Sequence, residues 1–352
     1  MAYKDAMDAI NLKMPVKVPR TEASASRHWE LVERVTGIPV NHESDEHTQT
    51  RASMAFEKAW DFGFAWAVST HRHIFGNFRT RMGHAVYASG GVDYDPVMYC
   101  PFNDVEEALN FDPYKQYGEK NPDILLREFN EHYDKTRRFH PDQVCTTGCY
   151  VTMISGFIEI FGWEMLLEAM GTDPDEFGEV ANRYAGWIQQ YFNAMAKSNA
   201  EVLMIHDDIV WTAGPFANLK WYRKYIFPNY EKLFDPLHKA GKKILFTSDG
   251  NYTEFIPDIA ACGVNGLVME PTTDMAYVAR QYGKTHCFMG NADCRILMFG
   301  SKEDIKKEVK RCMDIGKKYP GFFMSVGNHI PPNVPVDNAI YYNQCYEEMA
   351  YR

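Results

Sequence analysis

Short apolar runs that end abruptly in ionisable residues recur along the second half of this chain. Val202 to Ile205 stops at His206-Asp207-Asp208, and Lys243 to Phe246 stops at Thr247-Ser248-Asp249-Gly250. Between them, the amphipathic segment from Lys220 to Lys239 predicts a helix. Run, helix and run together predict a parallel βαβ unit, in which chemistry sits just past the strands' carboxyl ends.

The rhythm extends in both directions. Phe62 to Val68 predicts a buried strand, followed by Ser69-Thr70-His71-Arg72-His73. Val144 to Met153 reads as a strand and its exit, Gly162 to Met170 as a helix closed by Gly171, and Asp173-Pro174-Asp175 opens a longer helix to Ala200. Further strands are expected near 202–206, 243–247, 265–269, 286–290 and 321–326, which makes seven, with the eighth placed in the loop-rich region. Eight repeats without a G-x-G-x-x-G turn predict an α/β fold of the (β/α)8 TIM-barrel type, not a dinucleotide-binding sheet. Residues 1–60 read as a helical lead-in, where Arg20, Arg27, His28 and Trp29 serve surface and packing. Residues 74–143, rich in Gly, Tyr, Asp and Pro, predict a hairpin and long loops inserted over the barrel mouth, with a helix from Pro122 to Lys135. One barrel domain over 1–352 is expected.

Composition narrows the partners. A net charge of -10 without a basic run argues against a nucleic-acid surface. No apolar segment reaches the length of a membrane span, and the amino terminus has no signal-peptide core. Eight scattered cysteines without zinc-ribbon spacing predict a reduced, cytoplasmic protein.

The strand ends collect His206, Asp207 and Asp208; Thr247, Ser248 and Asp249; Glu270; Asn291 and Asp293; and Asn328 and His329. In a barrel these ends converge on one face. Carboxylates with a neutral imidazole suit a divalent metal with an open position, zinc being the commonest, and serve equally as a general acid/base set. Each acid taken alone could instead bond loop amides or make a turn.

The order of His206-Asp207-Asp208, Gly214-Pro215-Phe216, Ser248–Asn251, Ala261–Pro271, Met289–Asp293 and Gly327–Asn338 resembles the uroporphyrinogen decarboxylase superfamily from about residue 144 onward. The resemblance implies a (β/α)8 barrel with its cleft at the strands' carboxyl ends. It also implies one of two chemistries. Decarboxylases of that name carry an arginine-rich amino-terminal signature for a substrate with eight carboxylates; Val18-Pro19-Arg20-Thr21-Glu22-Ala23 does not match it. Cobalamin-dependent methyltransferases of the superfamily hold zinc through a His-x-Cys motif and a later cysteine. Here Thr247 and Asp249 occupy the His-x-Cys positions, and Asn328 or His329 the last, which excludes a thiolate site and disfavours thiol substrates. The variant resembles the branch that demethylates methoxylated aromatics.

On that resemblance, Asp249, Glu270 and His329 are expected to hold zinc, and His206, Asp207 and Asp208 to orient the substrate or supply a proton. Trp66, His71, Tyr150 and Trp211 are expected to contact a methoxylated aromatic ring. A separate corrinoid-binding protein would receive the methyl group, and a homodimer is possible. The alternatives are a decarboxylase acting without cofactor and a non-catalytic barrel that binds a methylated compound or a corrinoid protein.

Overall fold

The computed structural model describes residues 2–81 and 99–352. Of the hairpin and long loops expected within residues 74–143, residues 82–98 lie outside them. Seven strands form one parallel sheet in the order β1 (Phe64–Ala65), β2 (Val144–Cys149), β3 (Val202–His206), β4 (Lys243–Ser248), β5 (Gly266–Met269), β6 (Cys287–Met289) and β8 (Phe322–Phe323). Two short strands, β7 (Ala292–Asp293) and β9 (Val326–Gly327), pair with each other just beyond the ends of β6 and β8. Helices follow the strands and cover the sheet's outer face, as a TIM-type barrel requires.

The eighth position is not filled from the loop-rich region. It is filled by residues 19–21 of the segment expected to be lead-in. Pro19 O accepts from Met324 N at 2.9 Å, and Thr21 N donates to Met324 O at 3.2 Å, which joins the segment to β8's exit. On its other side Arg20 O accepts from Gly63 N at 2.9 Å, and Thr21 Oγ1 donates to Phe64 O at 2.9 Å. A stretch of three residues, Pro19-Arg20-Thr21, carries no alternating pattern, so its sequence conceals its place.

The barrel's lower interior is a small apolar core of Phe64, Val144, Val202, Leu245, Cys287, Met289 and Phe323. Helix Ala2–Ile10 closes it from below with Ala6, Ala9 and Ile10, at the strands' amino ends. A much larger core lies between the sheet and the surrounding helices. Two helices depart from expectation. The one expected from Gly162 begins at Ile154, and Gly162 is instead its kink (φ 71°). The one expected from Lys220 passes through a π turn at Tyr222–Ile226 before its regular part, Phe227–Lys239; Pro228 has no N–H to donate to the turn before it.

Closure depends on a buried ion pair. Arg20 Nη2 donates to Glu22 Oε1 at 2.9 Å with both side chains fully buried. Glu22 also accepts from Tyr342 OH at 2.7 Å and Val326 N at 2.8 Å. The guanidinium lies 4.4 Å from the Tyr346 ring and 4.7 Å from that of Trp60, and it donates to Asn343. Breaking such a pair strands a charge, at a cost of about 3–5 kcal/mol. Arg20→Met is therefore expected to lower unfolding free energy by that amount in denaturant titrations. The double variant Arg20→Met/Glu22→Gln should recover part of the loss; a single variant no worse than the double would contradict the stranded-charge account.

Candidate active site

A cavity of about 200 Å³ opens at the carboxyl ends of the strands. Its position follows from register. His206, Thr247, Val268, Met289 and Phe323 are successive partners across β3, β4, β5, β6 and β8, so their side chains share the barrel's inner side. His206, Thr247, Val268 and Met289 line the cavity, and the acids that follow the strands, Asp249 and Glu270, rim it together with Asn328 and His329.

Asp207 points the other way. It is fully buried and accepts from Met153 N at 3.0 Å, Ile154 N at 3.1 Å and Ser155 N at 2.6 Å, the start of helix Ile154–Thr172. Tyr230 OH donates to it as well. Burial, working against those donors, leaves its carboxyl pushed up to about 7. Expected among the catalytic acids, Asp207 instead bonds structural amides and does not line the cavity.

His206 and Asp208 face the site. His206 Nε2 lies 3.2 Å from Asp208 Oδ1, and its ring stacks on Tyr150 with centroids 3.7 Å apart. Asp208 Oδ1 also accepts from Asp249 N at 3.0 Å, which links the ends of β3 and β4. Glu270 accepts from Gly250 N at 2.7 Å and from Asn328 Nδ2 at 2.8 Å. The same amide nitrogen lies 3.3 Å from Asp249 Oδ2. Asn328 does this from the left-handed region (φ 77°), which Asn tolerates better than most residues. Gly250 also has positive φ (77°), and a Cβ there would stand 2.5 Å from Trp211 O. That closeness accounts for glycine after Asp249.

Burial, reinforced by Asp208 and Glu270, holds the Asp249 carboxyl well above the ordinary carboxylate range. The three acids crowd one another, and a cation would relieve them. One ligand atom from each of His206, Asp208 and Asp249 lies within 4.8 Å of the others, a nitrogen-and-oxygen donor set that fits a divalent ion such as zinc. This differs from the expected trio of Asp249, Glu270 and His329. Glu270 is engaged by Gly250 and Asn328, while His329 Nδ1 is bonded to Ser24 Oγ at 2.6 Å, across the cavity rim. Burial pushes the His329 pKa down and keeps the ring neutral.

Of the expected ring contacts, Trp66 and Tyr150 line the cavity. His71 is not among the described residues that line it and leans on Tyr150 with centroids 4.6 Å apart. Trp211 does not line it: it is 47% exposed and packs on Trp163 and Phe216. Asn291 and Asp293 are occupied elsewhere, Asn291 donating to Glu270 O and Thr273 O, Asp293 paired with Arg295. Ser24 is a contributor without an assigned role in the sequence, whereas Asn328, collected there with the strand ends, takes the role of bridging Asp249 and Glu270.

Comparison with known proteins gives these features a lineage. A protein from Methanosarcina mazei described as a methyltransferase superposes with a TM-score of 0.65 at 16% identity, over 99% of this chain and 98% of its own; this likeness establishes the shared fold. Uroporphyrinogen decarboxylase of Geobacter sulfurreducens is 25% identical over 205 residues, 58% of either chain. That of Carboxydothermus hydrogenoformans is 26% identical over 209 residues, 58% of this chain and 57% of that protein. The chain thus matches less than two thirds of these relatives' length. No described helix is long and apolar enough to cross a membrane. The profile for uroporphyrinogen decarboxylase (URO-D) matches residues 115–348, from before β2 through the last helix and across every strand end that supplies the acid cluster, and the chain therefore belongs to the URO-D family.

Proposed function

We propose that this protein is a methyltransferase that takes a methyl group from an aromatic methyl ether and delivers it to the cobalt of a corrinoid carried by a separate protein. The observation behind this reading is the lining of the cavity. Trp66, Tyr150, Met204 and Met289 give it flat and apolar walls, Asp249 and Glu270 rim it, and among the described residues no Lys or Arg faces it. Such a site disfavours a substrate with many carboxylates. Its volume of about 200 Å³ suits one substituted ring, not a tetrapyrrole.

The corrinoid, held by its own protein, supplies the nucleophilic acceptor. The residues of this chain have to hold the ring, exclude water and favour departure of the aryl oxygen. Trp66 and Tyr150 stand where a flat ring would be held. His206, Asp208 and Asp249 would hold a divalent ion, zinc by donor chemistry, which when bound supplies Lewis-acid polarisation of the ether oxygen. Asn328 holds Asp249 and Glu270 side by side, and Asp208 fixes the backbone of Asp249, so the cluster is ordered before substrate arrives.

Two outcomes are expected. With chemically reduced cobalamin and a panel of methoxybenzenes, the wild-type protein should form methylcobalamin, followed by absorbance. His206→Ala and Asp249→Asn should each lower kcat about a hundredfold or more with much smaller changes in KM, as loss of a transition-state contact does. No methylcobalamin from any donor, together with loss of carboxylate from uroporphyrinogen, would favour the decarboxylase reading suggested by the relatives' names.

Metal content separates the two ligand sets. Protein purified without chelator is expected to carry about one equivalent of a divalent ion by elemental analysis. Asp208→Asn should lose it, and His329→Ala should keep it. The reverse pattern would restore the set built from Asp249, Glu270 and His329.

A further inference from the structure

A row of three rings stands beside the cation cluster. Thr70, at the exit of β1, bridges Cys149, and Cys149 pairs with Ile205 across β2 and β3. The next residue along each of the three strands carries a ring: His71, Tyr150 and His206. Tyr150 N donates to Thr70 O at 2.8 Å, which fixes the row at its outer end. β2 lies between β1 and β3, so the two imidazoles cover opposite faces of the phenol ring. The His206 centroid is 3.7 Å from that of Tyr150 with planes 16° apart, and the His71 centroid is 4.6 Å away at 33°. Neighbouring strands are about 4.8 Å apart, so the ladder itself sets the stack.

Both faces of Tyr150 are thus covered, and it meets a substrate ring in the cavity only with its edge. Its faces act on His206 instead. An imidazole turns easily about its outer torsion, whose energy wells are broad. At His206 the phenol blocks that turn on one side, in the pose that sets Nε2 3.2 Å from Asp208 Oδ1. The contact is electrostatic as well as steric. An imidazole bound to a divalent ion shares its positive charge, which the electron-rich face of a phenol ring attracts. His71, partly buried on the far side, keeps the phenol from tilting away.

We infer that Tyr150 and His71 are positioning residues: Tyr150 holds the His206 imidazole ready for a divalent ion, and His71 acts through Tyr150. The inference rests on the cation site proposed above, at His206, Asp208 and Asp249, and extends it to residues that touch no ion. Groups that orient a metal ligand from behind are typically worth about ten- to a hundredfold in metal affinity.

The test is metal affinity, without turnover. Metal-free intact protein competes for zinc with a chromophoric chelator, and cobalt(II) in zinc's place reports ligand geometry by its visible absorption. Tyr150→Leu should bind zinc about ten- to a hundredfold more weakly than wild type and change the cobalt(II) spectrum. Tyr150→Phe should keep both, because the face is needed and the hydroxyl is not. His71→Ala should weaken zinc binding about two- to tenfold, the scale of one ring contact, and His71→Phe should restore it. In a Tyr150→Leu background, His71→Ala should change nothing further. If Tyr150→Leu does not fold, the two His71 variants carry the test. Zinc affinity within about twofold of wild type in Tyr150→Leu or His71→Ala, or a loss in Tyr150→Phe as large as in Tyr150→Leu, overturns the inference and leaves the cation site standing. Wild type that takes up no zinc overturns the cation site, and this inference with it.

Discussion

The site depends on where Asp207 points. Side chains alternate along a strand, so fixing one residue outward commits its neighbours to the inner side. Asp207 is fixed outward by three backbone N–H groups at the start of helix Ile154–Thr172 and by Tyr230 on helix Phe227–Lys239. These donors come from the elements that follow β2 and β3. One carboxylate thus ties two successive units together and presents His206 to the cavity, with Asp208 beside His206 and the Asp249 amide. Rotation at the end of β3 would break four bonds at once, in a place that water does not reach. The His206 ring is further restrained by its stack on Tyr150, which leaves its ring plane little freedom.

A crowd of acids is the second consequence of this geometry. Asp208, Asp249 and Glu270 come from the ends of three adjacent strands and share one neutral amide, that of Asn328, between the last two. A neutral donor eases the repulsion without cancelling it, and burial first, with that repulsion added, holds the Asp249 carboxyl well above its ordinary range. Had an Arg stood at position 328, the acids would be neutralised and the cluster would be a structural salt bridge. With Asn there, the cluster keeps an unmet attraction for positive charge, whether a divalent ion or charge that develops on a bound ligand. The backbone makes the arrangement possible at Asn328 and Gly250, both at positive φ.

Much of this was legible in the chain because strand ends advertise themselves. The runs before His206, Thr247 and Glu270 are buried on both sides and read as continuous apolar stretches, so their polar termini stand out. The seven paired strands and the acids at their ends were recoverable for that reason. What was not recoverable shows the limits of periodicity. Ile154 to Phe161 is buried almost all round and carries no amphipathic stripe, so no helical period announces that the helix begins before Gly162. Pro19–Thr21 completes the barrel with three residues, too few for any period. Asp207 and Asp208 are chemically identical neighbours, and only the alternation of a placed strand separates a structural acid from a site acid. The same holds for the candidate cation cluster: residue type suggested possible ligands, but which histidine stands beside Asp208 and Asp249 follows only from placed strand ends, His329 being bonded to Ser24 from a distant part of the chain.

The charge of the cavity is the physical property on which function within this fold turns. A barrel shared by proteins named as a methyltransferase and as decarboxylases leaves the reaction open, because the fold supplies only a face on which strand ends meet. What each chain places on that face decides which substrate can be desolvated there. A carboxylate moved into a small cavity must find a cation or hydrogen-bond donors to replace its water. Here the cationic side chain nearest that role in sequence, Arg20, is turned into the core, fully buried against Glu22 and among Trp60, Tyr342 and Tyr346. It cannot serve a substrate without abandoning Glu22 and loosening the segment that closes the barrel. The described residues that do face the cavity bear negative charge or none, apart from two imidazoles, one of them held neutral by burial. An uncharged ring bearing oxygens enters such a space at little desolvation cost, and a polyacid does not.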